Sequence, residues 1–333
     1  MRVMTVAGSG GLEDLKIEER DEPSPGPGEV LVRWRATSLN YHDYLIALGG
    51  LPVPAGRIPM SDGAGEVVAL GEGVTAWQTG DRVYSLFFPN WLSGPPTAGK
   101  TAAVSGETVD GFACEFSCVS AESLTRMPAG YTFQEAATLP CAALTAWRAL
   151  VVEGGLKAGD QVLVEGCGGV SIFGLQLAKA AGARVFATSS SDERLARLES
   201  MGADGVVNYK TDENWGKTVA GMSGGGVDHV LDVGGDATLA QSMEAVRIGG
   251  NISLIGILGG FTANINLPVA FFKHVSLHGI AVGSREMQEA MNDAIDVARL
   301  KPVIDREYPL DELADAFSYQ GSGAHFGKIV VTY

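Results

Sequence analysis

The sequence predicts an α/β protein in which a doubly wound parallel sheet accompanies a second, mostly antiparallel β-barrel. Two changes of pattern along the 333 residues indicate this division. Short strand-like runs separated by turns fill the first 120 residues, whereas strands and helices alternate from about 136 to 300. The strand Lys328–Thr332 is again of the first kind. We therefore expect one domain over 1–125 and 301–333 and an inserted domain over 126–300.

The predicted strands of the barrel are short and rich in β-branched and aromatic residues. They include Val30–Trp34, Gly65–Ala69 and Arg82–Tyr84. In the inserted domain the predicted strands are Asp228–Val233, Gly250–Ile257 and Ser276–Val282, and the predicted helices are Asp192–Ser200, Ala237–Val246 and Glu286–Leu300. The last of these strands is apolar and is expected to end the sheet, where an exposed edge favours pairing with a second subunit.

The segment Gln161–Arg194 carries a strand, a glycine turn, a helix and a second strand in one unit. Glycines in such a turn let the backbone approach a pyrophosphate, which then sits against the amides at the helix N-terminus. An ordinary strand-to-helix turn does not need three glycines. In the third position of the fingerprint a serine replaces glycine and adds a hydroxyl that could reach a phosphate. The predicted dinucleotide contacts here are Gly166, Gly168, Gly169, Val170 and Ser171.

The end of the second strand favours NADPH over NADH. Enzymes built for NAD usually place a carboxylate there, ~20 residues after the first glycine. This chain has Ser189 and Ser190 instead. The acids that follow, Asp192 and Glu193, are explained by a capping box between Ser190 and Glu193. Arg194 has two interpretations, a contact to the 2′-phosphate or a solvated helix arginine.

Composition and charge exclude several classes of partner. The net charge is −15, whereas nucleic acid binding needs clustered Lys and Arg. No apolar run approaches the ~18 residues of a membrane helix, and no apolar segment follows a basic start. With 46% hydrophobic residues the chain can bury two cores. We expect a soluble, cytoplasmic protein that binds neither nucleic acid nor membrane.

Several ordered motifs together resemble the medium-chain dehydrogenase/reductase superfamily. They are GEVLVRWRATSLNYHDYLIALGG, PMSDGAGEVVALGEGV, GDRV, EAATLPCAALTAWRAL, the glycine turn and the closing HFGKIVV. The resemblance covers nearly the whole chain. It implies a GroES-like β-barrel catalytic domain, a Rossmann cofactor domain and a homodimer.

The chain departs from the zinc alcohol dehydrogenases of that superfamily at the metal sites. The positions that match their three catalytic ligands are Tyr41, Ser61 and Cys141, and one thiol cannot hold a catalytic zinc. Their structural zinc lobe would fall in Phe87–Gly111, which contains no cysteine. We therefore predict no bound metal.

Without zinc, three functions remain open. The first is an NADPH-dependent reductase of small apolar quinones or α,β-unsaturated carbonyls, because an electron-poor carbon accepts hydride without a Lewis acid. The zinc-free quinone oxidoreductases and enone reductases resemble this chain best, including the Asn-x-x-Asp pattern at Asn40–Asp43. The second is an alcohol or aldehyde oxidoreductase whose side chains replace the metal. The third is a protein that binds NADPH without turnover.

The resemblance places four candidate catalytic residues together, namely Asn40, Tyr41, His42 and Asp43. The Tyr41 hydroxyl either bonds or protonates the substrate, or the ring fills the space left by zinc. His42 either relays a proton or touches the pyrophosphate, or is an exposed helix-start histidine. Asp43 either orients ribose or a proton chain, or charges the first turn of the helix.

Further contacts are implied by the resemblance or by position after strand ends. The additional predicted cofactor contacts are Thr145, Tyr209, Gly234, Ile257, Ser284 and Lys328. Lys328 is alternatively a solvated lysine. The loop Leu86–Gly111 is long, and loops of that length are often functional. Its rings Phe87 and Trp91 are expected either to line an apolar substrate entrance or to pack the loop on the barrel.

Overall fold

The computed structural model describes residues 1–8 and 10–333, which form two compact units. The first unit comprises Met1–Leu144 with Val282–Tyr333, and the second comprises Thr145–Ala281. Both boundaries differ from the predicted ranges, since 126–144 and 282–300 fall in the first unit. Helix 285–298 explains the second difference, because it is hydrogen-bonded to barrel strands. The Gln288 side chain donates to the Ser85 carbonyl at 3.0 Å and to the Thr125 hydroxyl at 2.7 Å.

Most strands begin within a few residues of an apolar run in the sequence. The strands are β1 (Arg2–Thr5), β2 (Lys16–Glu19), β3 (Glu29–Ser38), β4 (Ala64–Leu70), β5 (Arg82–Ser85), β6 (Phe116–Ser120), β7 (Leu124–Arg126), β8 (Gln161–Glu165), β9 (Arg184–Ser189), β10 (Gly205–Asn208), β11 (Val227–Asp232), β12 (Val246–Leu254), β13 (Ser276–Gly279), β14 (Ile304–Pro309) and β15 (Lys328–Thr332).

The helices range from four to 14 residues, and the longest, Arg285–Ala298, lies in the first unit. They are α1 (Tyr41–Ala47), α2 (Ala98–Thr101), α3 (Phe133–Ala137), α4 (Leu144–Trp147), α5 (Gly169–Ala180), α6 (Asp192–Ser200), α7 (Trp215–Met222), α8 (Leu239–Ala245), α9 (Leu267–Phe272), α10 (Arg285–Ala298) and α11 (Leu313–Gly321). Two π-helical stretches, Leu139–Ala143 and Arg148–Glu153, flank α4. Within the described ranges, none of the helices is both long and apolar enough to cross a membrane.

The sheet of the first unit has the order β14-β15-β3-β4-β5-β7, with β6 also paired to β3. Its pairs are antiparallel except for β14 and β15. The tail strand β15 pairs with β3, which confirms that the end of the chain returns to the barrel. The core beneath the sheet includes Trp34, Phe112 and Phe317, which are buried on strands, loops and α11. Aromatic packing is direct, since the ring centroids of Trp34 and Phe112 are 4.5 Å apart.

The second unit has a parallel sheet with the order β10-β9-β8-β11-β12-β13. Helices connect its strands, so the predicted doubly wound architecture and the overall α/β class are confirmed. Strands β8 and β11 at the centre are largely buried, with apolar residues at Val162–Val164 and Val230–Leu231, as parallel strands covered on both faces require. Strand β13 ends the sheet, as predicted for this segment, although it stops at Gly279.

Candidate functional site

The glycine turn joins β8 to the start of α5, as the sequence predicts. Gly166 has φ 73°, a left-handed conformation that favours glycine, and its amide donates to the Thr188 carbonyl at 2.9 Å. Gly168 is the N-cap of α5, which begins at Gly169. The first amides of a helix, here including Val170, have no intrahelical acceptor and favour an anion.

Ser171 has a different role from the one predicted. Its hydroxyl donates to the Glu165 carbonyl at 2.6 Å, and the residue is only 2% exposed. The prediction that this hydroxyl is free to reach a phosphate is therefore wrong. Ser171 instead fastens the first turn of α5 to the end of β8.

Two predicted cofactor residues lie beside the glycine turn, namely Ser189 at the end of β9 and Arg194 in the first turns of α6. Burial raises the pKa of the Cys167 thiol, and the charge of Arg194 and hydrogen bonds to Ser189 and Arg194 oppose this rise. These interactions place Arg194 beside the turn. Ser189 is buried, whereas Ser190 is half-buried. Strand β9 therefore ends in a serine and not in a carboxylate, and the guanidinium of Arg194 in α6 lies near this end.

The predicted capping box of Ser190 and Glu193 is wrong. Helix α6 begins at Asp192, so its N-cap is Ser191, one residue later, and that serine side chain makes no capping bond. The Asp192 carboxylate instead accepts from the Asn208 side chain at 2.6 Å. The acids after β9 therefore belong to the contact between α6 and β10.

The remaining predicted contacts of the second unit follow neighbouring strand ends. The Tyr209 amide donates to the Ser189 carbonyl at 3.1 Å, and its side chain is 39% exposed. Gly234 and Ile257 follow β11 and β12. Thr145 is buried in α4. Ser284 follows β13 in the chain and belongs to the first unit, where its hydroxyl caps α10 by accepting from the Met287 amide at 3.3 Å, and its cofactor contact stays a prediction.

The candidate catalytic residues of the first unit surround the start of α1. The Asp43 carboxylate is fully buried and accepts from the Asn40 amide at 3.0 Å and from the Ser61 amide at 2.8 Å. It thus caps α1 and joins it to the segment before β4. These contacts support the structural interpretation of Asp43, because both carboxylate oxygens are engaged by the backbone.

Lys328 lies in the same cluster and is not solvated. It is 3% exposed, and its ammonium donates to the Leu39 carbonyl at 2.6 Å and to Asn40 Oδ1 at 2.5 Å. It also lies 3.6 Å from Asp62 Oδ2. The interpretation of Lys328 as a solvated lysine is wrong, and its predicted cofactor contact competes with three buried partners.

Asp62 is the second buried carboxyl of this cluster. Its Oδ2 accepts from the Ser38 hydroxyl at 2.7 Å and from Asn40 Nδ2 at 2.8 Å. Burial raises the pKa of Asp62 to about 6, although the charge of Lys328 opposes the rise. We call Ser38, Asn40, Asp43, Ser61, Asp62 and Lys328 the buried polar cluster.

His42 has a carboxylate partner that sequence reasoning missed. Its Nε2 lies 2.8 Å from Glu107 Oε2, and its Nδ1 lies 3.6 Å from Asp43 Oδ1. Burial lowers the pKa of His42, but Asp43 and Glu107 outweigh that effect and the net shift is upward. The side chain is only 19% exposed, so the interpretation as an exposed helix-start histidine is wrong. No local signal connects Glu107 to His42, since they are 65 positions apart.

The structure is compatible with both interpretations of Tyr41, a hydroxyl that bonds or protonates the substrate and a ring that fills space. Its ring is half-buried and lies 6.1 Å from the Tyr44 ring, between centroids. Within residues 1–8 and 10–333 its hydroxyl makes no hydrogen bond. The hydroxyl can therefore accept or donate to a bound molecule, while the ring also contributes packing.

The donor set at the matched zinc positions does not fit a catalytic zinc. The Ser61 hydroxyl lies 3.2 Å from Asp43 Oδ2 and 3.2 Å from Asn40 Nδ2. Burial raises the pKa of Cys141 well above its usual range, and the Asp62 charge adds to this effect. In the part of the chain that the structure describes, no group of three or more His, Cys, Asp or Glu could hold a metal ion.

The rings of the loop 86–111 are packed inward. Trp91 is 1% exposed, and its indole nitrogen donates to the Gly94 carbonyl at 2.8 Å. Phe87 is 7% exposed, with its ring centroid 5.2 Å from that of His42. Trp91 thus stabilises the loop and does not line an open entrance, whereas Phe87 contacts a candidate catalytic residue.

Comparisons with known proteins agree with this architecture. Residues 26–129 match the alcohol dehydrogenase GroES-like domain family, and residues 169–297 match the zinc-binding dehydrogenase family. A zinc-type alcohol dehydrogenase-like protein of Schizosaccharomyces pombe is 42% identical over 331 residues, which cover 96% of both chains. A quinone oxidoreductase of Lama guanicoe is 29% identical over 344 residues, covering 99% of this chain and 97% of the relative.

Solved structures give the same result. A putative alcohol dehydrogenase from Sinorhizobium meliloti 1021 superposes with a TM-score of 0.92 at 40% identity, covering 100% of this chain and 99% of that one. A structure described as an NAD-dependent alcohol dehydrogenase has a TM-score of 0.92 at 32% identity and covers 100% of both chains. The chain belongs to the medium-chain dehydrogenase/reductase superfamily, and it is an oxidoreductase of that superfamily. The resemblance inferred from the motifs is confirmed.

Proposed function

We propose that this chain is a zinc-independent, NADPH-dependent reductase of a quinone or an α,β-unsaturated carbonyl. The observation that carries the proposal is the engagement of Ser61 with Asp43 and Asn40 at a position matched to a zinc ligand. A catalytic zinc needs three protein ligands, and here Cys141 is the one thiol among the three matched positions. Alcohol oxidation depends on a stabilised alkoxide, whereas reduction of an electron-poor carbon depends on it less.

Residues of the second unit fit a bound dinucleotide. The nicotinamide of NADPH supplies the hydride. The glycine turn offers the amides at the start of α5 to the pyrophosphate, with Gly166 in the required left-handed conformation. The position of Arg194 beside the glycine turn supports a role for Arg194, Ser190 and Tyr209 in binding the 2′-phosphate. A guanidinium suits this group because its planar donors match phosphate oxygens.

Residues of the first unit fit proton transfer to the reduced substrate. The Tyr41 hydroxyl has no bond within the described ranges, so it can donate to a substrate oxygen. His42 follows it and is held by Glu107, which makes the imidazole a fixed cationic or proton-relaying group. Asn40 and Asp43 hold the start of α1 on which both residues lie.

A second candidate is an alcohol or aldehyde oxidoreductase that uses the same cofactor. The relatives named as alcohol dehydrogenases or as similar to them favour it. A steady-state panel of quinones, enones, aldehydes and alcohols, run with NADPH and with NADH, separates the two. The first proposal predicts turnover of quinones or enones with NADPH. Turnover of aldehydes without turnover of any activated alkene or quinone would reject it, and NADPH binding without any oxidation would favour a non-catalytic protein.

We also propose a homodimer formed through the edge of the parallel sheet. Strand β13 ends that sheet, and the adjoining segment exposes Phe261 by 76% and Phe272 by 74%. Exposed apolar surface of this kind beside a free strand edge favours association.

A further inference from the structure

Two buried carboxyl groups lie directly beneath the glycine turn. Glu165 is the last residue of β8 and is 2% exposed, and Asp232 is the last residue of β11 and is 0% exposed. Strands β8 and β11 are parallel neighbours, with Leu231 opposite Val164, so the two acids end adjacent strands at the same edge. That edge carries the predicted dinucleotide contacts.

One serine bridges the two acids. The Ser242 hydroxyl on α8 lies 2.6 Å from Glu165 Oε1 and 2.7 Å from Asp232 Oδ2. Distances this short require a proton in each contact, but a hydroxyl has one proton to donate. It must therefore accept from one of the two carboxyl groups, and that group is protonated.

The hydrogen bonds around Asp232 decide which acid holds the proton. Its Oδ1 accepts from the Gly235 amide at 2.9 Å, from the Gly234 amide at 3.2 Å and from the Thr238 hydroxyl at 2.7 Å. Three donors on one oxygen stabilise the ionised form. The Ser242 proton then points to Asp232, and the remaining proton lies on Glu165.

The surroundings of Glu165 agree with a neutral acid. Burial raises the pKa of Glu165 well above its usual range and the negative charge of Asp232 raises it further, and these two effects outweigh the hydrogen bonds from Ser242, Thr238 and the Val233 backbone, which lower it. Asp232 is the charged group that faces it from β11. The groups that face it from the helical side, Ser242 and Thr238, are neutral hydroxyls.

We propose that Glu165 is a neutral carboxylic acid that acts as a positioning residue of the dinucleotide site. The proton of Glu165 forms the hydrogen bond to Ser242, and Ser242 in turn donates to Asp232. These bonds link the end of β8, where the glycine turn begins, to the end of β11, where Asp232 accepts from the amides of Gly234 and Gly235. Ionised, Glu165 would break the serine bridge and add a negative charge below the position of an anionic pyrophosphate. This role rests on the proposed binding of NADPH at this edge.

Infrared difference spectroscopy at pH 7 tests the protonation state without cofactor. The wild-type protein minus Glu165→Gln should show the carbonyl band of a protonated carboxylic acid. Glu199→Gln, which removes an exposed acid of α6, should leave that band in place. The proposal would be overturned if the wild-type spectrum had no protonated-acid band that disappears in Glu165→Gln.

The affinity for NADPH tests the positioning role. Glu165→Gln should bind NADPH within about twofold of wild type at pH 7, because its amide can still donate to Ser242. Ser242→Ala should bind about tenfold more weakly, since both acids lose their bridge. At alkaline pH the wild type should weaken relative to Glu165→Gln where the infrared band disappears. If Glu165→Gln and Ser242→Ala bound NADPH equally weakly at pH 7, the neutral form of Glu165 would have no role in positioning the site. If none of the proteins binds NADPH, the proposed function fails, while the spectrum still decides the state of Glu165.

Discussion

The glycine turn of the second unit and the buried polar cluster of the first unit are built in opposite ways. The turn, its strand and its helix lie within Gln161–Ala180, so one stretch of sequence carries the whole motif. The polar cluster joins residues as distant as Ser38 and Lys328, and it involves two strands, the start of α1 and the segment before β4. The first arrangement depends on backbone conformation, and the second depends on side-chain hydrogen bonds that only the folded barrel brings together.

The largest effect should follow from breaking the polar cluster. Lys328→Met removes the ammonium beside Asp62 and leaves buried acceptors without a donor, which should lower the free energy of unfolding by about 3–5 kcal/mol. Denaturant unfolding measures this change. Lys301→Met, which removes an ion pair with Glu135 at a side chain that is 53% exposed, should cost less than about 1 kcal/mol. If the two variants lost the same small amount, the cluster would not stabilise the first unit.

Removal of the Tyr41 hydroxyl tests whether the same region also performs chemistry. Tyr41→Phe keeps the ring and should lower kcat about 100-fold with little change in KM, because proton donation is lost. Tyr44→Phe removes the hydroxyl of another tyrosine of α1 and is the matched control. An unchanged kcat for Tyr41→Phe would leave the ring with a packing role only.

The phosphate assignment concerns the glycine-turn region alone. Arg194→Ala should weaken NADPH binding about tenfold or more and leave NADH binding unchanged, since it removes charge-assisted bonds to a phosphate. Titration calorimetry with both cofactors measures the difference. Arg184→Ala, at the other end of β9, should change neither affinity. NADPH affinity that is the same in Arg194→Ala and in wild type would disprove the assignment.

The smallest effect is a change in the titration of His42. Its folded-state pKa is raised, so its contribution to stability is complete below its unfolded pKa and is lost as pH rises through the folded one. Glu107→Gln should lower the pKa of His42 and move that loss to lower pH, which a nuclear magnetic resonance titration of the ring protons detects. Glu122→Gln serves as a distant control. A His42 pKa that Glu107→Gln does not change would mean that the pair does not hold the proton.

Sequence and structure agree where the signal is local. The βαβ unit, helix α6 and strand β15 lie where their patterns predict them, because apolar period and glycine spacing are properties of adjacent residues. The capping box failed by a single residue, since serines at 190 and 191 offer two helix starts with the same chemistry. Which of the two serines precedes the helix depends on how α6 packs against β10.

The errors in the site arise from contacts between distant residues. Lys328 follows a glycine at the start of a strand, and this local sequence is compatible with a solvated lysine. In the folded barrel, however, it is buried against Leu39 and Asn40. Glu107 and Ser242 have no motif and become significant only through His42 and the Glu165–Asp232 pair. The burial of the Trp91 ring also depends on distant residues, because an apolar loop residue packs inward or outward according to surfaces that the sequence does not specify.

The claim that this oxidoreductase works without zinc is tested most directly by activity after metal removal. The protein would be dialysed against a strong chelator, its zinc content measured, and kcat/KM determined with NADPH and a quinone or enone that it turns over. We predict that kcat/KM does not change when no zinc is bound and does not rise when zinc is added back. Activity that disappears with the metal and returns with added zinc would contradict the account.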